Sequence, residues 1–178
     1  LFTKRLLSQE EILESWKMTQ EKLENSYGKK FNFIFTVSPI RHLKNGFHEN
    51  QLSKSTLLLA VNEICENYIN CHYFPSYEIL MDDLRDYRFY EGNLTHPNSQ
   101  AINYIWEKFS DSYFSPETKE LNLSIQKFFQ AISHKPFHSE SKQHQNFLIR
   151  LRNEMEQFRS KHKIDFSEEL NQLKEQIR

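Results

Sequence analysis

The sequence predicts a helix-rich α/β protein in which one parallel β-α-β unit is followed by a helical C-terminal tail. Three observations lead there. Phe31-Asn32-Phe33-Ile34-Phe35-Thr36-Val37 is short, aromatic and β-branched, and Ser38-Pro39 stops it, as in a buried strand whose carboxyl end opens into a polar loop. A second short strand, about Asn70 to Phe74, ends at Pro75, and a helical stretch separates the two. Apolar strand bodies with polar carboxyl ends and a helix between them are the signature of a parallel crossover. Glycine is also scarce, with 3 in 178 residues, where average usage of about 7% would give roughly a dozen. Either the chain is mostly helical or its glycine-dependent loops lie elsewhere.

Taken in order, Ser8-Gln9-Glu10-Glu11 reads as a capping box, and Ile12, Leu13, Trp16 and Leu23 continue it as a helical stripe ended by Gly28. The first strand leads into a loop through Gly46 and Asn50. Ser53 to Tyr68 follows as a helix with Leu57, Leu58, Ala60, Val61, Ile64 and Cys65 on a broad apolar face. Beyond the second strand come a charged, aromatic stretch, Met81 to Tyr90, and a loop from Glu91 to Pro97. A helix from about Ser99 to Phe109 then carries Ile102, Ile105, Trp106 and Phe109 on one face. Residues 1–115 form the α/β part and 116–178 a helical extension, amphipathic over Glu117–Ile132, Ser141–Lys161 and Phe166 onward.

Hydrophobic residues make up 38% and charged residues 26%, with mean hydropathy -0.75, yet Phe 15, Tyr 8 and Trp 2 supply enough apolar surface for a folded core. A net charge of -1 gives no general electrostatic grip on nucleic acid or on an anionic membrane. Cys65 and Cys71, six apart and without zinc-type partners, read as thiols of a reducing compartment, with a single disulfide as the alternative. No apolar run approaches the length of a membrane span and no signal peptide is visible, so a cytoplasmic protein is expected. The start at Leu1-Phe2-Thr3, without methionine, suggests a processed or truncated product.

The local pattern richest in chemistry is Asn93-Leu94-Thr95-His96-Pro97, a polar residue three before a loop histidine. A histidine there can serve as general base toward a serine while the residue three before orients its other ring nitrogen. It can equally be a helix cap. The loop after the first strand gathers Ser38, Arg41, His42, Lys44, His48 and Asn50, with Lys54 beyond it. Ligands of open α/β sheets sit at strand carboxyl ends, so Arg41 or Lys44 could bind an anion and His42 or His48 could take a proton. A solvated basic loop is the competing reading. Neither a metal nor a cofactor is expected, since His134 and His138 are separated by Pro136 and no third ligand stands nearby. Asp82 to Tyr90 reads as an ion-pair network in which Asp86 pairs with Arg85 or Arg88 to fix the loop carrying His96.

The segments Thr36-Val37-Ser38-Pro39-Ile40-Arg41-His42, Glu49-Asn50-Gln51-Leu52-Ser53-Lys54, Tyr73-Phe74-Pro75-Ser76-Tyr77-Glu78, Leu84 to Tyr90 and His96-Pro97 resemble, in this order and spacing, the C-terminal half of the GSCFA family, a branch of the SGNH/GDSL-like hydrolases. Phe2-Thr3-Lys4-Arg5-Leu6-Leu7-Ser8 and Glu10-Glu11-Ile12 are similar to it as well. The resemblance implies an SGNH-like three-layer αβα fold, here incomplete, and acyl-ester hydrolysis by a serine nucleophile and a histidine base. It maps the base onto His96, places Asn93 where the family has an aspartate, and makes Ser38, Arg41, His42, Asn50 and Lys54 the substrate-side candidates. An amide at 93 offers a dipole where a carboxylate would stabilise an imidazolium, and it can favour the other tautomer.

The family's Gly-Ser-Cys-Phe-Ala nucleophile signature does not occur in these 178 residues. The expectation is therefore a chain that carries the base but not the nucleophile, with the missing N-terminal half of the domain as its partner, and with self-association through exposed sheet edges. A non-catalytic α/β-helical interaction module is the alternative.

Overall fold

Ser8 Oγ accepts the Glu11 amide at 3.3 Å and Glu11 Oε2 accepts the Ser8 amide at 2.9 Å, closing the capping box that starts helix α1 (Gln9–Tyr27). These features belong to a computed structural model that describes residues 5–134, 136 and 140–177. The family-like residues Phe2 to Lys4, and His138 of the histidine pair, lie outside the described residues. Gly28, at φ 64, closes α1 by donating its amide to Glu24 O at 2.8 Å.

Strands β1 (Phe33–Phe35) and β2 (Cys71–Tyr73) pair in parallel, with Phe33 opposite Cys71 and Phe35 opposite Tyr73. Their crossover is helix α2 (Phe47–Asn67). The strands are shorter than the sequence suggests because the outer residues bond elsewhere: Phe31 O accepts from Asn70 Nδ2 at 2.7 Å, and Val37 O accepts from Ser76 Oγ at 3.0 Å. Helix α2 also starts six residues before the predicted Ser53. Gly46, at φ 93, turns the chain directly into the helix, so Asn50 lies in the first turns of α2 and not in a loop. The apolar pattern hides this start because Phe47 is 74% exposed.

Trp16 of α1 sets its ring edge-on to Phe33 and Phe35, each at 4.7 Å between centroids, and so covers one face of the two-stranded sheet. Gln9 Nε2 reaches Glu63 Oε2 at 2.7 Å and ties α1 to α2, whose Ala60, Val61 and Ile64 are buried. On the other face Ile34 is 43% exposed and His72 is exposed, while Phe74, just past β2, packs edge-on against Phe109 of α4 (Ser99–Tyr113).

After β2 comes a single helical turn, α3 (Ser76–Glu78), then a π-helical stretch, Ile79–Leu84, closed by the Arg85 amide on Leu80 O at 3.1 Å. This brings Leu80 against Phe89, Tyr90 and Ala101 in a small core, with Leu84 and Ile105 beside it.

The chain divides into two compact units, Leu1–Ser112 and Tyr113–Arg178. The second consists of α5 (Pro116–Ser133), α6 (Lys142–His162) and α7 (Ser167–Gln176) around Leu148, Leu151, Met155, Phe166, Leu170 and Leu173. Ser115 and Ser141 cap α5 and α6 by accepting the amides of Thr118 and His144. Among the described residues no helix is long and apolar enough to cross a membrane, and no three His, Cys, Asp or Glu side chains gather as a metal site would need.

Candidate functional site

His96 is held by backbone geometry. Asn98 caps α4 by accepting the Ala101 amide at 3.1 Å, and its Nδ2 reaches back to Arg88 O at 2.6 Å. Tyr90 and Pro97 form an antiparallel bridge, the Glu91 amide donates to His96 O at 2.8 Å, and the Asn98 amide donates to Phe89 O at 2.9 Å. The loop therefore stands on the core of Leu80, Phe89, Tyr90 and Ala101. The expected ion-pair support plays little part. Asp86 does pair with Arg88, but at 3.9 Å and in the open, and its firmer role is to accept the Arg88 amide at 2.9 Å. Arg85 pairs with Asp82 instead.

Within the loop Asn93 Oδ1 accepts two backbone amides, Thr95 at 2.9 Å and His96 at 3.1 Å. Backbone N–H groups can only donate, so the oxygen end of the amide is fixed and Nδ2 is the end that lies 3.0 Å from His96 Nδ1. Nδ2 is itself a donor. The neutral imidazole must then accept at Nδ1 and carry its proton on Nε2. A carboxylate at this position would impose the reverse, with Nδ1 protonated and Nε2 free to accept.

The loop after β1 is laced to this one. The Arg41 amide donates to Thr95 O at 3.2 Å and its Nη1 to Leu94 O at 3.3 Å, while the guanidinium lies 4.2 Å over the Tyr90 ring and 5.6 Å over that of Tyr87. Lys54, only 3% exposed, donates from Nζ to Ser38 O at 2.5 Å. Burial pushes its ammonium pKa down. The His42 amide donates to Asn50 Oδ1 at 2.8 Å. A cavity of about 220 Å³ opens between these groups, lined by Arg41, Asn50 and Lys54 together with Pro39, Phe47, Gln51, Tyr77, Met81 and Tyr87.

Of the sequence-predicted site residues, the structure thus brings Arg41, Asn50 and Lys54 to one cavity and Asn93 and His96 to the adjoining loop. Ser38 joins through its carbonyl, and its hydroxyl accepts the Ile40 amide at 3.2 Å. The His42 side chain is exposed and joins neither group, and Lys44 and His48 are exposed in the same way. No serine hydroxyl among the described residues bonds to His96.

Sequence reasoning missed Tyr77, Tyr87 and Tyr90 as lining and stacking groups; the only signal was an excess of tyrosine near the π-helical turn. It also missed Tyr73, whose hydroxyl bonds Glu78 Oε2 at 2.9 Å and whose pKa is pushed well up by burial and by that carboxylate. Cys65 and Cys71 are free thiols, each raised in pKa by burial.

Comparison with family models matches residues 1–109 to the GSCFA family and residues 125–178 to the GSCFA domain protein, C-terminal domain. The expectation that the chain represents only the C-terminal part of the family domain does not fit this result: the family match begins at the first residue, and the helical tail matches a C-terminal domain of its own. Comparison with curated proteins and with solved structures gives no match.

Proposed function

Because this chain belongs to the GSCFA family, we propose that residues 1–109 are the histidine-bearing portion of an SGNH-like, three-layer α/β hydrolase acting on acyl esters. His96 is the imidazole that faces the nucleophilic serine, Asn93 its positioning residue, and the cavity of Arg41, Asn50 and Lys54 the substrate side. The observation that supports this reading is the Asn93–His96 contact at 3.0 Å, which engages Nδ1 and leaves Nε2, protonated in the neutral ring, as the nitrogen open to a reacting group. No Gly-Ser pair occurs in these 178 residues, and no serine hydroxyl among the described residues bonds to His96, so the nucleophile of such a reaction is not assigned to this chain.

Hydrolysis by this site needs the Nε2 lone pair to accept the serine proton. With Asn93 as its partner the ring reaches that state only after a change of tautomer, and the imidazolium lacks the carboxylate that would stabilise it. The same amide therefore favours a second reading, in which the unit has kept the fold and serves as a binding module.

Turnover of p-nitrophenyl acetate decides between them. The purified chain should show none above buffer. Supplying a serine-bearing segment with the Gly-Ser-Cys-Phe-Ala signature in trans should produce turnover that His96→Ala lowers by about a hundredfold or more. Turnover by the chain alone that His96→Ala abolishes would overturn the assignment of the nucleophile. Absence of turnover with the segment present would leave the binding module as the function.

A further inference from the structure

The cavity beside α2 contains a buried ammonium with no carboxylate partner among the described residues. Lys54 is 3% exposed, and its one hydrogen bond among the described residues is to a neutral carbonyl, Ser38 O. No carboxylate among the described residues pairs with it, and none lines the cavity. A buried charge left unpaired is costly, and an ammonium has three N–H groups to satisfy. Arg41, on the same cavity, is likewise without a carboxylate among the described residues; it bonds Leu94 O and lies over Tyr90.

The neutral groups point to the same chemistry. The His42 backbone amide, which can only donate, fixes the Asn50 amide with Oδ1 toward it, and the other end of the amide, Nδ2, is a donor. Two cations and an amide donor thus line one space; Pro39, Phe47 and Met81 give it an apolar part, and the Tyr77 hydroxyl on the same wall is occupied in donating to Gln51 Oε1 at 3.1 Å. Its volume of about 220 Å³ suits a short aliphatic acid and not an extended chain.

We infer that the cavity between the β1 loop and α2 is a binding site for a short-chain carboxylate, with Lys54 as its ion-pair partner and Arg41 and Asn50 as further donors. The site stands without the acyl-ester reading, although a carboxylate is what that reaction releases. Lys54 then has two states: it ties Ser38 O in the free chain and shares its remaining N–H groups with the ligand in the bound one.

The test is titration of the full chain with sodium butyrate, and with neutral butyramide at equal ionic strength, followed by backbone amide NMR. Butyrate should shift the amides of Ile40, Arg41, Asn50 and Lys54 and butyramide should not. Lys54→Met, which keeps length and volume, should weaken binding about tenfold or more while leaving the melting temperature unchanged or higher, because it removes a buried unpaired charge. Arg41→Gln supplies an independent arm should the first variant fail to fold, with the same direction of effect. Equal shifts from butyrate and butyramide, or a Lys54→Met chain that binds butyrate as well as the unaltered one, would overturn the inference. The experiment involves no turnover, so its failure is separate from failure of the hydrolase reading.

Discussion

Replacing Asn93 by aspartate should invert the tautomer of His96 without moving the loop. In the unaltered chain, placing a proton on Nδ1 sets it against the Asn93 amide donor, and relief requires that the amide flip. Flipping gives up the bonds from the Thr95 and His96 amides, at 2.9 and 3.1 Å. At ~1 kcal/mol each this is ~2 kcal/mol, roughly a thirtyfold preference for the Nε2–H form. In Asn93→Asp one carboxylate oxygen keeps the two backbone amides and the other stands where Nδ2 was, as an acceptor for Nδ1–H. A charge-assisted bond of this kind is worth about 1.5–3 kcal/mol, and the lower end applies because His96 and Asn93 are both exposed, so Nδ1–H should prevail by about tenfold. Two-bond ¹H–¹⁵N correlation of the ring, taken where the imidazole is neutral, distinguishes the two forms by which nitrogen is protonated. Nδ1–H in the unaltered chain, or no change between it and Asn93→Asp, would refute the orientation argued for the amide. If the Nε2–H form is confirmed, Asn93→Asp should also raise any turnover obtained with the serine-bearing segment.

Trp16→Ala should cost the first unit about 2–4 kcal/mol, since it uncovers the sheet face at Phe33 and Phe35 and loses two edge-on ring contacts; chemical denaturation measures it, and a loss under 1 kcal/mol would count against α1 as the cover of that face. Glu11 is held down to about 2, first by its hydrogen bond from Arg5 and then by the Ser8 amide. Its folded pKa lies below the ordinary glutamate value of about 4.3, so its contribution is present above that value and is lost as pH falls toward 2. Helix content followed by circular dichroism should therefore decline in α1 over this window, and Glu11→Gln should flatten the decline; an unchanged acid profile in the variant would show that the capping box is not its source.

The sequence by itself determined the local elements whose causes are local. A serine three residues before a glutamate capped α1, and amphipathic spacing drew the three tail helices to within a residue or two of their ends. Family membership was legible for the same reason, because runs such as Thr36 to His42 are contiguous. The sequence also gave both members of the Asn93–His96 pair, since three-residue spacing within one loop is a local fact.

Tertiary structure decided the rest. Only packing shows that Trp16 spans Phe33 and Phe35, or that a π-helical turn sets Leu80 beneath the histidine loop. Arg41 and Leu94 are 53 positions apart and meet through a carbonyl, which no residue-type pattern records. Lys54 lies in a helix, where sequence gives a lysine every reason to face water. It is buried because the packing of α2 against the loop after β1 sets its Nζ on Ser38 O, and burial without a carboxylate among the described residues is what makes it a candidate ligand for an acid. The orientation of the Asn93 amide, which separates a proton acceptor from a donor at His96, depends on which way two backbone N–H groups point, and backbone direction is a property of the folded loop.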